Sequence, residues 1–308
     1  MEDAIIIGGG VAGLAAGIYA ARAGLRFFIV AGEQPGGLLT QTSEVENFPG
    51  FPDGINGYEL VSLFQQQAEK FGATILYEEV KSVSIVPGGV HKVLLGSGEE
   101  KECRALIVAT GSKPRYLGVE GEEKFRNRGV SACATCDGAF YKGVPVCVVG
   151  GGDSAMEEAL FLTNFASEVH LVHRRDSFRA SKIMADRVQA HEKIVIHYNK
   201  IVAEIFGNEE VDGVVLEDTV TGEKEKLFCK GYFAALGHVP QTELFKGQLE
   251  LDKAGYLVLA PHTAHTSAEG VFGAGDCADP HYRQAVTAAG MGARAAMDAE
   301  RYIRSKTV

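Results

Sequence analysis

The segment with the clearest capacity for chemistry is Cys133-Ala134-Thr135-Cys136. Two thiols at this spacing can close a small disulfide loop, and a dipole or charge that stabilises the first thiolate makes exchange with another disulfide fast. Asp137, next in the chain, can carry the proton that thiol chemistry moves. A C-x-x-C can also be half of a zinc site, but structural zinc takes about four ligands, and the sequence offers no second C-x-x-C or H-x-x-x-H partner. A redox pair, with no metal, is therefore the expectation. The remaining cysteines, Cys103, Cys147, Cys229 and Cys277, are expected to be core residues, since a thiol behaves there as a small hydrophobe.

Two glycine motifs carry a second kind of chemistry. In Gly8-x-Gly10-x-x-Gly13 the first glycine permits a tight turn, the second lets backbone amides approach a pyrophosphate, and the third lets helix and strand pack closely. A diphosphate would sit at the helix N-terminus, where unpaired N–H groups and the macrodipole favour negative charge. Glu33 lies about 20 residues beyond the last glycine, as a dinucleotide site expects. The second motif, Gly150-x-Gly152-x-x-Ala155, encloses Asp153 and Ser154 and has alanine at the close-packing position. Where an NAD site would place a carboxylate for the ribose, this chain has His173-Arg174-Arg175, with Arg179 beyond. Charge-assisted bonds of about 1.5–3 kcal/mol each could favour NADPH over NADH by roughly a hundredfold.

The elements that must position these residues follow from the apolar pattern. Residues 4–7, 14–23 and 27–30 read as strand, helix and strand around the first glycine turn, and residues 146–149, 154–164 and 169–172 repeat that order around the second. Residues 74–86 and 90–95 flank the turn-forming Pro87-Gly88-Gly89, and residues 105–109 form a strand leading to Thr110-Gly111, which suggests a β-meander closing the first domain. Residues 270–276 (G-V-F-G-A-G-D) form a strand and turn before a long helix over 285–303. This tail has too little sequence around it for a domain of its own. The fold class expected is α/β, with two Rossmann-like, three-layer ββα nucleotide-binding domains: a discontinuous first domain, 1–112 and 245–308, and an inserted second one, 113–244.

The formal net charge of −10 disfavours nonspecific attraction to nucleic acid or anionic membrane. No apolar run reaches the roughly 18 residues that span a bilayer, and Met1-Glu2-Asp3 lacks the basic start of a signal peptide, so a cytoplasmic location is expected.

Two nucleotide motifs with a C-x-x-C between them resemble the low-molecular-weight thioredoxin reductases, nearly end to end. The residues carrying the resemblance are Gly8 to Gly13, Gly36-Gly37 with Thr40, E-V-E-N-F-P-G at 44–50, A-C-A-T-C-D-G at 132–138, Gly150 to Ala155, His173 to Arg175, Gly237-His238-x-Pro240, G-A-G-D-C at 273–277 and Y-R-Q-A-V-T-A-A-G at 282–290. The resemblance implies FAD in the first domain, held by Gly8, Gly10, Gly13, Glu33, Gly37, Leu38, Asn47, Thr110, Gly111, Gly275, Asp276, Arg283, Gln284 and Ala285. Of these, Asp276 would meet the ribityl chain and phosphate, and Arg283, Gln284 and Ala285 the isoalloxazine. It implies NADPH in the inserted domain, held by Gly150, Gly152, Asp153, Ser154, Ala155, His173, Arg174, Arg175 and Arg179. Cys136 would be the flavin-proximal thiol, Cys133 the one that attacks a thioredoxin-like partner, and Asp137 the general acid and base. The same resemblance implies a homodimer and a hinge near 112 and 240. Leu38 departs from the glutamine that relatives often carry, and Ala139 from an aromatic residue, leaving Phe140 as the apolar candidate for docking the partner.

A chain of this fold could instead serve a peroxiredoxin system or act as a dithiol oxidase. An oxidase needs no nicotinamide site, yet Arg174 and Arg175 follow an intact second glycine turn. A binding protein that sensed the NADPH/NADP ratio without turnover would need no dithiol beside an acid such as Asp137.

Overall fold

In the computed structural model, which describes residues 1–32, 35–42 and 44–306, the chain divides into two units. Met1–Lys113 with Val239–Val308 forms the first, and Pro114–His238 the second.

The first unit is built on the strands Glu2–Ile7, Phe27–Val30 and Glu100–Val108, all parallel, with Ala4 beside Phe27 and Ile7 beside both Val30 and Val108. These apolar runs do not alternate with polar residues because both faces of the sheet are covered. Ala4, Ile6, Phe27, Ile29, Ala105 and Ile107 face the helices Val11–Arg22 and Ala285–Ser305. Ile5, Ile7, Phe28, Val30, Leu106 and Val108 face Val83, Val93 and Leu95 of the meander, together with Phe245, Leu249 and Leu257. Helices on one face and a β-layer on the other give the three-layer arrangement.

The long strand Glu100–Val108 changes partners along its length. Its first residues pair antiparallel with His91–Leu95, and its last three pair parallel with Val271–Gly273 of the returning tail. The tail helix Ala285–Ser305 crosses Val11–Arg22 at glycine distance: a Cβ on Gly292 would lie 2.0 Å from the Ala12 carbonyl oxygen.

The second unit repeats the plan. Its parallel sheet runs in the order Ile194–Tyr198, Val169–His173, Val146–Val149, Gly231–Ala234, Val130–Ser131. One face packs on the helix Asp153–Leu162 through Val146, Val148, Leu171, Ala155, Met156 and Ala159. The other packs on an antiparallel meander, Lys200–Gly207, Val211–Asp218 and Lys224–Phe228, through Cys147, Val172, Tyr232, Val202, Ile205 and Val214.

Three expectations change. The second crossing lies at 238/239 rather than 244/245, because Phe245 is fully buried in the first unit and the Thr242 hydroxyl donates to the Gly255 carbonyl there at 2.6 Å. Residues 74–86 are two strands, Thr74–Leu76 and Val80–Ser84, the first parallel to Phe27–Val30 and the second antiparallel to His91–Leu95. The helices around the two glycine turns begin earlier than expected, at Val11 and Asp153, directly after Gly10 and Gly152. No helix among the described residues is long and apolar enough to cross a membrane.

Candidate active site

Cys133 and Cys136 form a disulfide, with Cα atoms 5.3 Å apart. The pair sits at the edge of the second unit's sheet. The edge strand Val130–Ser131 delivers the chain to Cys133, which becomes the N-cap of the short helix Ala134–Asp137. Ser131 is the local organiser. Its hydroxyl oxygen accepts the Cys133 N–H at 3.0 Å and also hydrogen-bonds the Asp137 carboxylate. The N–H groups of Cys136 and Asp137 both donate to the Cys133 carbonyl at 3.2 Å, so the turn is closed by main chain. The Thr135 hydroxyl lies 3.4 Å from the Cys133 sulfur. Burial pushes the Asp137 carboxyl above its ordinary value, with the Ser131 hydroxyl pulling the other way. An acid near a dithiol needs such a shift if it is to hold a proton close to neutral pH. Burial raises the phenols of Tyr116 and Tyr141, and the Asp137 charge adds to both. Phe140 is half-exposed beside the pair.

The other four thiols are fully enclosed. Desolvation lifts Cys103 and Cys229 to about 12, which removes the thiolate that exchange requires.

The candidate FAD residues of the first unit gather at the C-terminal ends of its parallel strands, where ligands of open α/β sheets bind. Gly8 has φ +124°, and a Cβ on Gly13 would lie 1.8 Å from the Gly8 carbonyl oxygen, so helix and strand meet at a distance only glycine allows. Gly10 caps the helix Val11–Arg22 with no side-chain hydrogen bond. Gly36 donates its N–H to the Gly9 carbonyl, bringing Gly37 and Leu38 to the same turn. Ala274 donates to Val108, and Gly275, φ +73°, abuts Ala12. Asp276 thereby reaches the site, its carboxyl raised to about 6 by burial and then by Asp279, against the lowering effect of Arg283 and Ser112. Asn47 donates to the Gln284 side chain at 3.1 Å, joining two candidates far apart in sequence. Gln284 and Thr287 make a capping box that starts the helix Ala285–Ser305. Arg283 has φ +47°, held there as Asp279 accepts the N–H groups of His281, Tyr282 and Arg283. The Thr110 hydroxyl donates to the Gln241 carbonyl at 2.6 Å, which leaves its oxygen able only to accept. Glu33 lies outside the described residues.

The second unit's turn has the same construction. Gly152 caps Asp153–Leu162 without a side chain and with open space around it, while Ala155 is buried against Gly150. Arg174, Arg175 and Arg179 are exposed just beyond the strand Val169–His173. Ser154 is half-buried in the first turn of the helix. One candidate is corrected. His173 is only 7% exposed, and its two ring nitrogens face the carbonyls of Gly150 and Ser177 at 3.1 and 3.0 Å, leaving none for a phosphate. Asp153, exposed in the first turn, accepts the Ser181 N–H at 2.8 Å through one carboxylate oxygen.

Ser131, Tyr116, Tyr141 and Asp279 were not singled out from the sequence. A serine two residues ahead of a turn residue, and an aspartate opening Asp279-Pro280, are the side-chain-to-backbone turn signals that could have found two of them.

Both turns have the cradle a dinucleotide needs: a bare helix N-terminus beside a glycine that no larger residue could replace. A family model described as pyridine nucleotide-disulphide oxidoreductase matches residues 2–292. The chain belongs to that family. Within these oxidoreductases it is 52% identical to the thioredoxin reductase of Mycolicibacterium smegmatis, over 98% of this chain and 97% of the relative. It is 47% identical to the NADPH-dependent thioredoxin reductase 3 of Arabidopsis thaliana, over 100% of this chain and 59% of that one. Among solved structures, thioredoxin reductase from Giardia duodenalis superposes with a TM-score of 0.94 at 45% identity, covering 98% of this chain and 99% of that one. As a family member, the chain is an enzyme of disulfide oxidoreduction.

Proposed function

We propose that this chain is an NADPH-dependent, FAD-containing thioredoxin-disulfide reductase, working on a transient thioredoxin-like partner in the cytoplasm as a homodimer. The observation that carries the reading is the half-buried Cys133–Cys136 pair flanked by an acid with a raised pKa, in a chain with two dinucleotide cradles. Gly8, Gly10, Gly13, Gly37, Gly275 and Asp276 would hold FAD, and Gly150, Gly152, Arg174, Arg175 and Arg179 NADPH. Bound FAD supplies the electron relay between NADPH and the dithiol.

The rest of the chemistry belongs to the chain's own residues. In the reduced pair, the Cys133 thiolate attacks one sulfur of the partner's disulfide, forming a mixed disulfide and breaking the partner's S–S bond. The departing partner thiolate takes a proton from Asp137. The Cys136 thiol, giving its proton back to Asp137, then attacks the Cys133 sulfur. The second partner thiolate leaves, and Cys133–Cys136 re-forms. Ser131 holds the Cys133 backbone and the Asp137 carboxyl in one frame through both steps.

A service to peroxiredoxin is a less economical reading, because the relatives are named for thioredoxin. A turnover-free sensor leaves the proton-managed dithiol unused. The test is a panel assay of NADPH oxidation by the purified flavoprotein with thioredoxin, a peroxiredoxin and buffer alone. Turnover with thioredoxin, lost in Cys136→Ser while NADPH still bleaches the flavin, is the expected result. A Cys136→Ser protein that reduced thioredoxin at the parent rate would falsify the assignment.

A further inference from the structure

Exchange by a dithiol needs one sulfur to attack first, and the two sulfurs of a C-x-x-C are chemically alike until the fold distinguishes them. In this chain the two residues between them differ in kind. Ala134 is buried, whereas Thr135 stands at the surface. The Thr135 hydroxyl oxygen lies 3.4 Å from the Cys133 sulfur. That sulfur is in a disulfide and has no proton, so across this contact the hydroxyl is the donor.

The other donors of the turn are committed elsewhere. The N–H groups of Cys136 and Asp137 go to the Cys133 carbonyl, and the Cys133 N–H goes to the Ser131 hydroxyl, which also bonds the Asp137 carboxylate. An ionised Asp137 opposes negative charge on both sulfurs, so it does not make one of them the better thiolate. A neutral donor in contact with a single sulfur does. The two hydroxyls thus divide the turn, Ser131 serving the acid and Thr135 the thiol. None of the main-chain bonds that close the turn involves a sulfur, so they survive reduction and keep Thr135 beside Cys133.

We propose that Thr135 is a further catalytic residue: in the reduced pair its hydroxyl donates to the Cys133 sulfur, stabilises the thiolate there and makes Cys133 the thiol that attacks the partner. A hydroxyl bonds a charged sulfur more strongly than a neutral one, so the contact seen in the disulfide tightens as the thiolate forms. The inference rests on the dithiol reading above and deepens it.

The experiment uses the FAD-loaded enzyme, reduced with dithiothreitol and then freed of it. Parent is compared with Thr135→Val, which keeps the shape and loses the hydroxyl, and with Thr135→Ser, which keeps the hydroxyl. Limiting iodoacetamide is added at a series of pH values; the thiolate displaces iodide to form a thioether, and fragment-ion mass spectrometry separates label on Cys133 from label on Cys136. In the parent, Cys133 takes most of the label. Thr135→Val is expected to raise the Cys133 midpoint by about one pH unit, the scale of one hydrogen bond to a charged group. Thiolate at neutral pH then falls about tenfold, but a more basic thiolate is the better nucleophile, so the alkylation rate falls only about threefold. The Cys136 midpoint stays in place, and Thr135→Ser stays near the parent. A hydroxyl that only shaped the turn would shift both sulfurs or neither, and either result overturns the proposal. So does a parent labelled no more at Cys133 than at Cys136, or a Thr135→Ser profile that matches Thr135→Val. If Thr135→Val lost its flavin, Thr135→Ala would carry the same comparison. A parent enzyme alkylated as expected that does not reduce thioredoxin would instead sink the functional reading and leave the role of Thr135 standing.

Discussion

The two nucleotide-binding turns are nearly superimposable in logic and differ in what they abut. In each, the first glycine donates its N–H to the end of the second strand, Gly8 to Val30 and Gly150 to Val172, and sits too close to a neighbouring carbonyl for any Cβ. In each, a helix starts on a glycine that leaves its first N–H groups to a ligand. They part at the third position, Gly13 against Ala155, and just after the second strand, where the second unit presents His173 and its arginines. The common part offers a diphosphate a bare helix N-terminus and is blind to the rest of a ligand. On the reading proposed above, cofactor identity is written in the residues at the strand's end.

The largest break should come from Gly13→Ala. The added methyl would meet a main-chain oxygen at 1.8 Å, and main chain cannot yield without moving helix from strand. The purified protein should carry no flavin absorbance at 450 nm (roughly the usual FAD band). The mirror change, Ala155→Gly, should cost only about 1 kcal/mol of helix stability and leave NADPH kinetics near the parent's. If Gly13→Ala held FAD at full stoichiometry, the two turns would be less alike than they look.

Next in size, Arg174→Ala with Arg175→Ala should raise the NADPH KM by about a hundredfold and leave that for NADH nearly untouched. A proportional rise in both would remove the phosphate contact from the contrast between the turns.

A smaller effect separates the units by acid–base behaviour. Asp276 has a raised carboxyl pKa, so in the FAD-free protein its stabilising contribution is present below the ordinary aspartate value and is lost as pH rises through about 6. Asp276→Asn should therefore stabilise the FAD-free protein at pH 8 by about 3 kcal/mol, and by almost nothing at pH 4. Melting curves at the two pH values decide it, and an equal gain at both would contradict the burial argument.

The smallest effect lies mainly in the second unit. Burial holds His170, His173 and His197 below the ordinary histidine value there, against His91 alone in the first. Lowered pKa values contribute stability above the unfolded value near 6.5 that is lost as pH falls through the folded ones. Hydrogen exchange between pH 7 and 5 should show protection falling earlier in Val146–Val149 and Val169–His173 than in Glu2–Ile7. A simultaneous fall would remove the distinction.

What could be read from the sequence followed from how much physics is local. Both βαβ units were legible because buried parallel strands are unbroken apolar runs and the glycine turns have no alternative chemistry. The helix Gly57–Lys70 was not anticipated: its buried Leu60, Val61 and Ala68 are scattered among glutamines and glutamates, although Asn56 caps it with bonds to Tyr58 and Glu59. The break at Tyr77–Glu79 is equally tertiary, since the segment leaves one partner strand and joins another. At the site, the dithiol and its acid were plain. His173 was misread because a histidine beside two arginines looks like a phosphate ligand until its ring is seen to be occupied by carbonyls.

The strand Glu100–Val108 has a further consequence for how the protein is made. Half of its edge waits for Val271–Gly273, which leaves the ribosome only after the whole second unit has emerged. The inserted unit, an uninterrupted segment, can close its own core while the earlier sheet still has an open side. Acquisition of the flavin is thereby postponed until the tail strand has been made, and the nascent chain must shelter an unfinished edge until then.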